Sequence, residues 1–363
     1  MRPMRERWPF ALTPFIVLAV VLDVAGAPAT LTFLSSALGI IPLAAVIGRA
    51  TEELADRSGP GIGGLVNVTF GNAPELIIAL FALGSGLHEV VKASLVGSIL
   101  GNVLLVMGGA MAAGGARRER QFFSVAAASA QSSALMLAAT AVVLPAVFEL
   151  AHGGGLPPAD AQIIDYSGSV VHLSVVIAVI MMVGYAALML FSLRTHRELF
   201  NPPQEDSERT PWPLRQSVGL LALGGLATAG VSEILVGSIT DAARSAGLSQ
   251  FFVGAVAVAI VGNAAEHWVA VTMAAKDKVD LAVNIAIGSS SQIALFVLPA
   301  LVLCSTFIGP HPMALLLNGY ELAALILAIL LAVQVTGRGE STWLDGVQLM
   351  GVYTVVVITF AFA

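Results

Sequence analysis

Two glutamates occupy matching positions in a motif that occurs twice. Gly71-Asn72-Ala73-Pro74-Glu75 recurs as Gly262-Asn263-Ala264-Ala265-Glu266, and a Gly-Ser pair follows each glutamate at the same interval, as Gly97-Ser98 and Gly288-Ser289. Both glutamates lie inside long apolar segments, where a carboxylate is costly and usually functional because lipid cannot solvate it. One such glutamate is also compatible with a packing role, but a repeated pair in matching motifs favours a shared ion site.

The residue types around the glutamates would supply neutral oxygen ligands. Gly71, Gly262 and Pro74 suit locally broken helices, whose freed carbonyls can line a polar cavity. Ca²⁺ prefers such a set of hard oxygens, and the single cysteine, Cys304, rules out a two-cysteine metal motif. The predicted metal ligands are Gly71, Asn72, Glu75, Ser98, Asn102, Gly262, Asn263, Glu266, Ser289, Ser290 and Gln292.

The same two carboxylates would couple cation binding to protons. Carboxylates held together away from water titrate as a coupled pair, and a divalent cation favours their ionised form. Competition of this kind gives exchange if the site opens to one side at a time. The sequence therefore predicts a Ca²⁺/H⁺ antiporter that works by alternating access. Ca²⁺ and H⁺ are its expected substrates, and no organic cofactor, enzyme activity or nucleic-acid partner is expected.

The composition is that of a membrane protein. Of the 363 residues 57% are apolar and 11% are charged, against about 25% charged in an ordinary soluble domain. The apolar runs predict an all-α polytopic fold with eleven transmembrane helices. The expected spans are roughly 9–25, 31–50, 62–84, 89–114, 122–148, 168–193, 215–239, 250–274, 279–303, 312–335 and 344–362. The first span has a signal peptide as its alternative, since Arg2, Arg5 and Arg7 precede it and Ala25-Gly26-Ala27 ends it.

The basic residues set the expected orientation. With the N-terminus in the cytoplasm, all but two of the 17 Lys and Arg fall on the cytoplasmic side; the exceptions are Lys92 and Arg244. The C-terminus is then outside, and a multi-pass protein of the cell membrane is expected, with its oligomeric state left open, a homo-oligomer included. Acidic residues at 52, 53 and 56 either attract Ca²⁺ to the cytoplasmic entrance or form an ordinary solvated loop.

The spacing of the two motifs predicts an internal repeat. Each copy holds five spans, so the second crosses the membrane in the opposite sense, as in the inverted repeats of secondary transporters. The predicted organisation is an N-terminal helix at 1–30, a first half at 31–193, a cytoplasmic linker at 194–214 and a second half at 215–363. Folds of this kind place the substrate site near the middle of the bilayer, where the repeats meet.

At these motifs the sequence resembles the calcium/cation antiporter superfamily, and within it the calcium/proton exchangers. The resemblance rests on 71–77 with 97–102 in the first repeat, and on 262–267, 276–278 and 288–293 in the second. It implies that Glu75 and Glu266 hold calcium and protons in turn, and that Asn102 and Gln292 contribute amides. In sodium/calcium relatives an acidic residue usually stands near Gln292, so the glutamine favours protons over sodium. Asn102 and Gln292 are not equivalent by the repeat, and His267 either tunes the site or packs.

Four other functions remain open from the sequence. Within transport they are a sodium/calcium exchanger, a manganese/proton exchanger and a passive cation channel. Outside transport, Ser98, His172 and His267 supply the residue types of an intramembrane serine hydrolase. No GxSxG element stands in a fitting context for that reading, and the inverted repeat has no natural place in it.

Overall fold

The computed structural model describes residues 8–159, 166, 168–196 and 212–363, and in these residues the chain is almost entirely helical. Nine of the described helices are long and apolar enough to cross a membrane. They are α2 (Ala29–Gly71, apolar over Ala29–Ser58), α4 (His88–Gly115), α5 (Val125–Ala151), α6 (Gly168–Thr195), α7 (Leu214–Ala246), α8 (Gln250–Ala275), α9 (Val279–Cys304), α10 (Gly319–Thr336) and α11 (Trp343–Ala361).

Two shorter apolar helices complete the described set. They are α1 (Pro14–Val24), which follows a 3₁₀ turn at Trp8–Leu12, and α3 (Ala73–Gly84). They lie where the first and third spans were predicted, so each predicted span has a helix, while eleven crossings remain a prediction. Strands β1 (Gln121–Phe122) and β2 (Glu340–Ser341) pair antiparallel between α4 and α5 on one side and α10 and α11 on the other. Residues 1–7, and residues 197–211 of the linker predicted at 194–214, lie outside the described residues.

The first motif interrupts the helix as expected. Helix α2 ends at Gly71, Asn72 leaves helical geometry with φ −96° and ψ 23°, and α3 begins at Ala73. Pro74 therefore falls in the first turn of α3, where its missing N–H has no helical acceptor to lose. Upstream the prediction was wrong, since the connection expected at about 51–61 is helical. Local propensity is divided in this stretch, since its Glu and Ala residues favour a helix whereas Gly59-Pro60-Gly61 disfavours one. A hydropathy pattern also does not distinguish a polar helix from a loop.

The second motif does not interrupt its helix, which corrects the expectation for Gly262. Helical backbone runs from Gln250 to Ala275 through the whole motif. The position of Pro74 is taken here by Ala265, which keeps its N–H and has the highest helix propensity. The irregularity of α8 lies earlier, in a π-helical segment at Val253–Val258.

Helices α4 and α9, which carry the two Gly-Ser pairs, each contain a π-helical segment directly after the pair. The segments are Gly101–Val106 and Ile293–Val297. Under the spacing that relates the two motifs, residues 101–106 correspond to 292–297, so the two distortions coincide almost residue for residue. A π turn fits one extra residue into the helix and is frequent at functional sites.

Helix α10 begins later than predicted. The predicted span starts at about 312, whereas the helix starts at Gly319 because a capping box fixes its first turn. The Asn318 side chain accepts from the Glu321 N–H, and the Glu321 side chain accepts from the Asn318 N–H, both at 2.9 Å. Residues 305–318 form an irregular segment that includes Pro310 and Pro312.

The chain forms two compact units, and each draws on both halves of the sequence. The first contains the chain up to Phe81, Ala187–Leu248 and Val261–Ala265; within it α2 packs along α7, and α1 packs on α2. The second contains Ala82–Ala186, Ser249–Ile260 and Glu266–Ala363. Within this unit α4 packs against the π-helical part of α8, α9 packs against α5, and α11 packs against the end of α4.

Candidate functional site

In the first unit, Glu75 lies against Gly262. Glu75 stands in the first turn of α3 and is 8% exposed. A Cβ built on Gly262 would lie 3.3 Å from the Glu75 Oε1 and 3.4 Å from its Cγ, so the glycine leaves room for the carboxylate. Asn72 and Asn263 are also buried in this unit, and Gly71 is half-buried at the end of α2. The structure therefore brings a glutamate of the first motif against the glycine of the second.

In the second unit, Asn102 connects the two Gly-Ser helices. Its Nδ2 donates to the Ser289 Oγ at 3.2 Å, and its Oδ1 lies 3.1 Å from the His267 Nε2. Since the amide oxygen can only accept, His267 is the donor in that pair. The Asn102 side chain of the first repeat is thus hydrogen-bonded to Ser289 and His267 of the second. His267 therefore contacts one of the predicted site residues.

The other predicted ligands of this unit differ in exposure. Ser98 and Ser290 are buried, and the Ser290 hydroxyl donates to the Ala286 carbonyl of its own helix at 2.8 Å. Glu266 and Gln292 are partly exposed. Across the described ranges, no three His, Cys, Asp or Glu side chains are grouped closely enough to hold a metal ion.

The two Gly-Ser glycines have different neighbours. A Cβ on Gly97 would lie 2.6 Å from the Ala255 carbonyl carbon and 2.8 Å from the Ala255 Cα, so α4 and the π-helical part of α8 meet backbone to backbone. A Cβ on Gly288 would lie 3.4 Å from the Gln131 Nε2, an ordinary van der Waals contact. Gly97 is therefore required by a close helix approach, whereas Gly288 faces a side-chain amide of α5.

A buried ion pair in the second unit was missed from the sequence. Lys92 was assigned to an outside segment, but it is fully buried in α4, with its Nζ 2.7 Å from the Glu89 Oε1. The ammonium also donates to the Leu316 carbonyl at 2.6 Å and to the Tyr166 hydroxyl at 3.2 Å. Burial raises the pKa of Tyr166 to about 12, so its hydroxyl stays protonated and donates to Glu89 at 3.3 Å. The i, i+3 spacing of Glu89 and Lys92 at the start of an apolar span was the available signal.

Glu53, one of the acidic residues at the end of the second predicted span, has a structural role in the first unit. The Glu53 carboxylate accepts from the Trp212 N–H at 2.9 Å, and Arg57 donates to the Trp212 carbonyl. The Arg49 guanidinium lies over the Trp212 ring, 4.3 Å from its centroid. These side chains fix the start of α7 on α2, so Glu53 lies in a helix and not in a solvated loop, while a role of the acidic residues at 52, 53 and 56 in attracting Ca²⁺ stays a prediction.

Comparison with known proteins identifies the family. The family described as sodium/calcium exchanger protein matches residues 28–194 and 216–362. The chain belongs to this family. One similar protein is a Ca²⁺/H⁺ antiporter of Synechocystis sp., which is 39% identical over 353 residues, covering 92% of this chain and 91% of the relative. Another is ChaA, a Ca²⁺/H⁺ antiporter of Bacillus subtilis, which is 41% identical over 338 residues, covering 92% of each chain.

A solved exchanger structure shares the fold over the whole chain. The structure of native YfkE has a TM-score of 0.82 and 37% sequence identity, covering 98% of this chain and 100% of that chain. The resemblance to calcium/proton exchangers drawn from the two motifs is confirmed, and so is the all-helical, multi-pass membrane architecture. The chain belongs to a family of transporters rather than enzymes.

Proposed function

We propose that this exchanger family member transports Ca²⁺ in exchange for H⁺ by alternating access, with Glu75 and Glu266 binding calcium and protons in turn. The observation that carries the proposal is the match over nine-tenths of the chain to proteins named Ca²⁺/H⁺ antiporters, together with a buried Glu75 in one of the two motifs. The proposed location is the cell membrane, with the N-terminus in the cytoplasm and the C-terminus outside.

The chemistry around the motifs supports a hard divalent cation as substrate. Glu75 supplies a buried carboxylate, and Glu266 stands one helical turn after Gly262 in α8. Asn102 and Ser289 add an amide and a hydroxyl held together by a hydrogen bond. Carboxylate, amide and hydroxyl oxygens are the ligands that Ca²⁺ uses. Protons compete for the same carboxylates, so one site serves both substrates.

The geometry of α4 and α9 supports the inverted repeat. Their π-helical segments fall at equivalent positions, which is expected if the two helices descend from one ancestral element. Each π-helical segment follows a Gly-Ser pair and so lies close to residues that we propose as ion ligands. Inverted repeats of this type provide two related conformations, one open to each side of the membrane.

Transport by purified protein in proteoliposomes tests the proposal. We expect Ca²⁺ uptake that follows an imposed pH gradient in the absence of sodium. Uptake that requires a sodium gradient would instead identify a sodium/calcium exchanger, and stronger transport of Mn²⁺ than Ca²⁺ a manganese/proton exchanger. Cation flux that ignores the pH gradient would identify a channel and refute antiport.

The two glutamates are tested by Glu75→Gln and Glu266→Gln in the same assay. Each change keeps the size of the side chain but removes the charge that binds Ca²⁺ and the group that carries H⁺, so each variant is expected to lose exchange while staying folded in the membrane. Glu340→Gln is the matched control, because Glu340 forms a solvent-exposed pair with Arg120 at 3.1 Å that is worth little. Near-normal exchange by either test variant would remove that glutamate from the mechanism.

A further inference from the structure

Gln131 stands on the packed face of α5, yet it is partly exposed. Its neighbours one turn before and after are all buried: Ala127 and Leu135 are 0% exposed, Ala128 is 1% and Ala134 is 8%. Residues three and four apart share one face of a helix. The exposed part of Gln131 therefore lies on the packed face of α5 and not on the opposite side, where the exposed Leu137 and Leu144 lie.

Gln131 adjoins the second Gly-Ser motif. A Cβ on Gly288 would lie 3.4 Å from the Nε2 and 3.6 Å from the Oε1 of Gln131, so the side-chain amide packs next to this glycine. The Ser291 hydroxyl donates to the Gln131 backbone carbonyl at 3.1 Å. One residue further along α5, the Ser132 hydroxyl lies 2.9 Å from that of Thr336 in α10. These contacts hold Gln131 against α9 between Gly288 and Ser291, next to the second Gly-Ser pair.

The side-chain oxygen of Gln131 is buried without a hydrogen-bond partner in the part of the chain that the structure describes. The Oε1 atom is shielded from bulk solvent and accepts no hydrogen bond from any side chain or backbone group of the described residues. A buried polar atom without a partner is rare, because leaving it unpaired costs free energy. An amide in an apolar membrane helix is also costly. A passing cation, or a water molecule of its hydration shell, would satisfy this oxygen.

We infer that Gln131 lines the cation pathway beside Ser289 and presents its side-chain oxygen to the divalent cation, favouring Ca²⁺ over Mn²⁺. The inference rests on the proposed function, because it concerns the same transported ion. Ca²⁺ takes six to eight oxygen ligands in flexible geometry. One further neutral oxygen on the pathway helps to fill that larger shell, whereas a smaller ion that completes a six-oxygen shell gains less from it.

Gln131→Leu in proteoliposomes tests the choice of cation. We expect the KM for Ca²⁺ to rise about fivefold, the effect of losing one favourable polar contact, with a smaller rise for Mn²⁺. Gln334→Leu is the matched control, because Gln334 is exposed on α10. Equal KM values in Gln131→Leu and the unmodified protein overturn the inference, as does an equal rise for both cations. Absence of pH-driven Ca²⁺ transport by the unmodified protein refutes the proposed function instead.

Cysteine labelling tests directly whether an aqueous pathway reaches Gln131. In a Cys304→Ser background, Gln131→Cys is expected to react with a positively charged, membrane-impermeant thiol reagent, and Ca²⁺ is expected to slow the reaction. Leu135→Cys is the control, since it stands one turn along the same face and is fully buried. Equal, low reactivity at both positions would show that no pathway reaches Gln131, and labelling that Ca²⁺ does not slow would place Gln131 away from the ion.

Discussion

Replacing Gly97 by alanine tests whether α4 and α8 must meet backbone to backbone. The new methyl carbon would lie 2.6 Å from the Ala255 carbonyl carbon, whereas non-bonded carbons rest at about 3.5–4.0 Å. The obstacle is backbone rather than the end of a flexible side chain, so no rotamer change relieves it. The two helices must therefore separate by about 1 Å next to Ser98.

The expected loss of stability in Gly97→Ala is best measured against a second variant, Gly288→Ala. Overpacking a tight contact costs about 1–3 kcal/mol and sometimes more, and the backbone obstacle at Gly97 places this change at about 3 kcal/mol. Helix propensity favours alanine over glycine by up to about 1 kcal/mol in the interior of either helix. This gain in helix propensity is the same in both variants, because both glycines lie inside helices, so it does not affect their difference in stability. Gly97→Ala is thus expected to be less stable than Gly288→Ala by about 3 kcal/mol.

Thermal unfolding of both variants in the same detergent measures this difference. Gly288→Ala should unfold near the midpoint of the unmodified protein, and Gly97→Ala several degrees lower, with reduced yield of folded protein. The moved helix also carries Ser98 and Asn102, so the remaining folded Gly97→Ala protein should transport Ca²⁺ more slowly. Equal unfolding midpoints for the two variants would refute the close approach of α4 and α8.

Two further predictions concern charged residues. Lys92→Met leaves Glu89 buried without its cation and should destabilise the protein by about 3–5 kcal/mol. Adding Glu89→Gln should restore part of the lost stability, because the buried charge is then removed. An unfolding midpoint for Lys92→Met equal to that of the unmodified protein would contradict this prediction. Glu75→Cys combined with Glu266→Cys, in a Cys304→Ser background with a protease site in the linker at 194–214, should give halves that an oxidant holds together, through a disulfide, on a non-reducing gel. Halves that always separate would contradict a shared site.

The sequence determined the class of the protein and most of its helices. Apolar runs of membrane-spanning length placed α4, α5, α6, α8, α9 and α11 within a few residues, because burial in lipid demands long, nearly uncharged segments whatever the tertiary packing. They also placed the start of α7, which continues to Ala246, beyond its predicted end at about 239. The repeated motif predicted the family that the comparisons confirm, whereas the inverted repeat and the binding of ions by its two glutamates stay predictions. Pro74 also marked the break before α3, because a proline constrains its own backbone directly.

The tertiary structure decided what depends on contacts between distant residues. Glu75 lies against Gly262, Asn102 joins Ser289 and His267, and no local pattern specifies such pairs. The near-identical motifs also differ in backbone, since α8 runs unbroken where the first motif is interrupted. The burial of Lys92 could not be predicted from its own helix, because Tyr166 and Leu316, which pair with it besides Glu89, lie in two distant segments. Apolar periodicity records which residues avoid water, whereas partner choice follows from packing and hydrogen bonding between segments far apart in the chain.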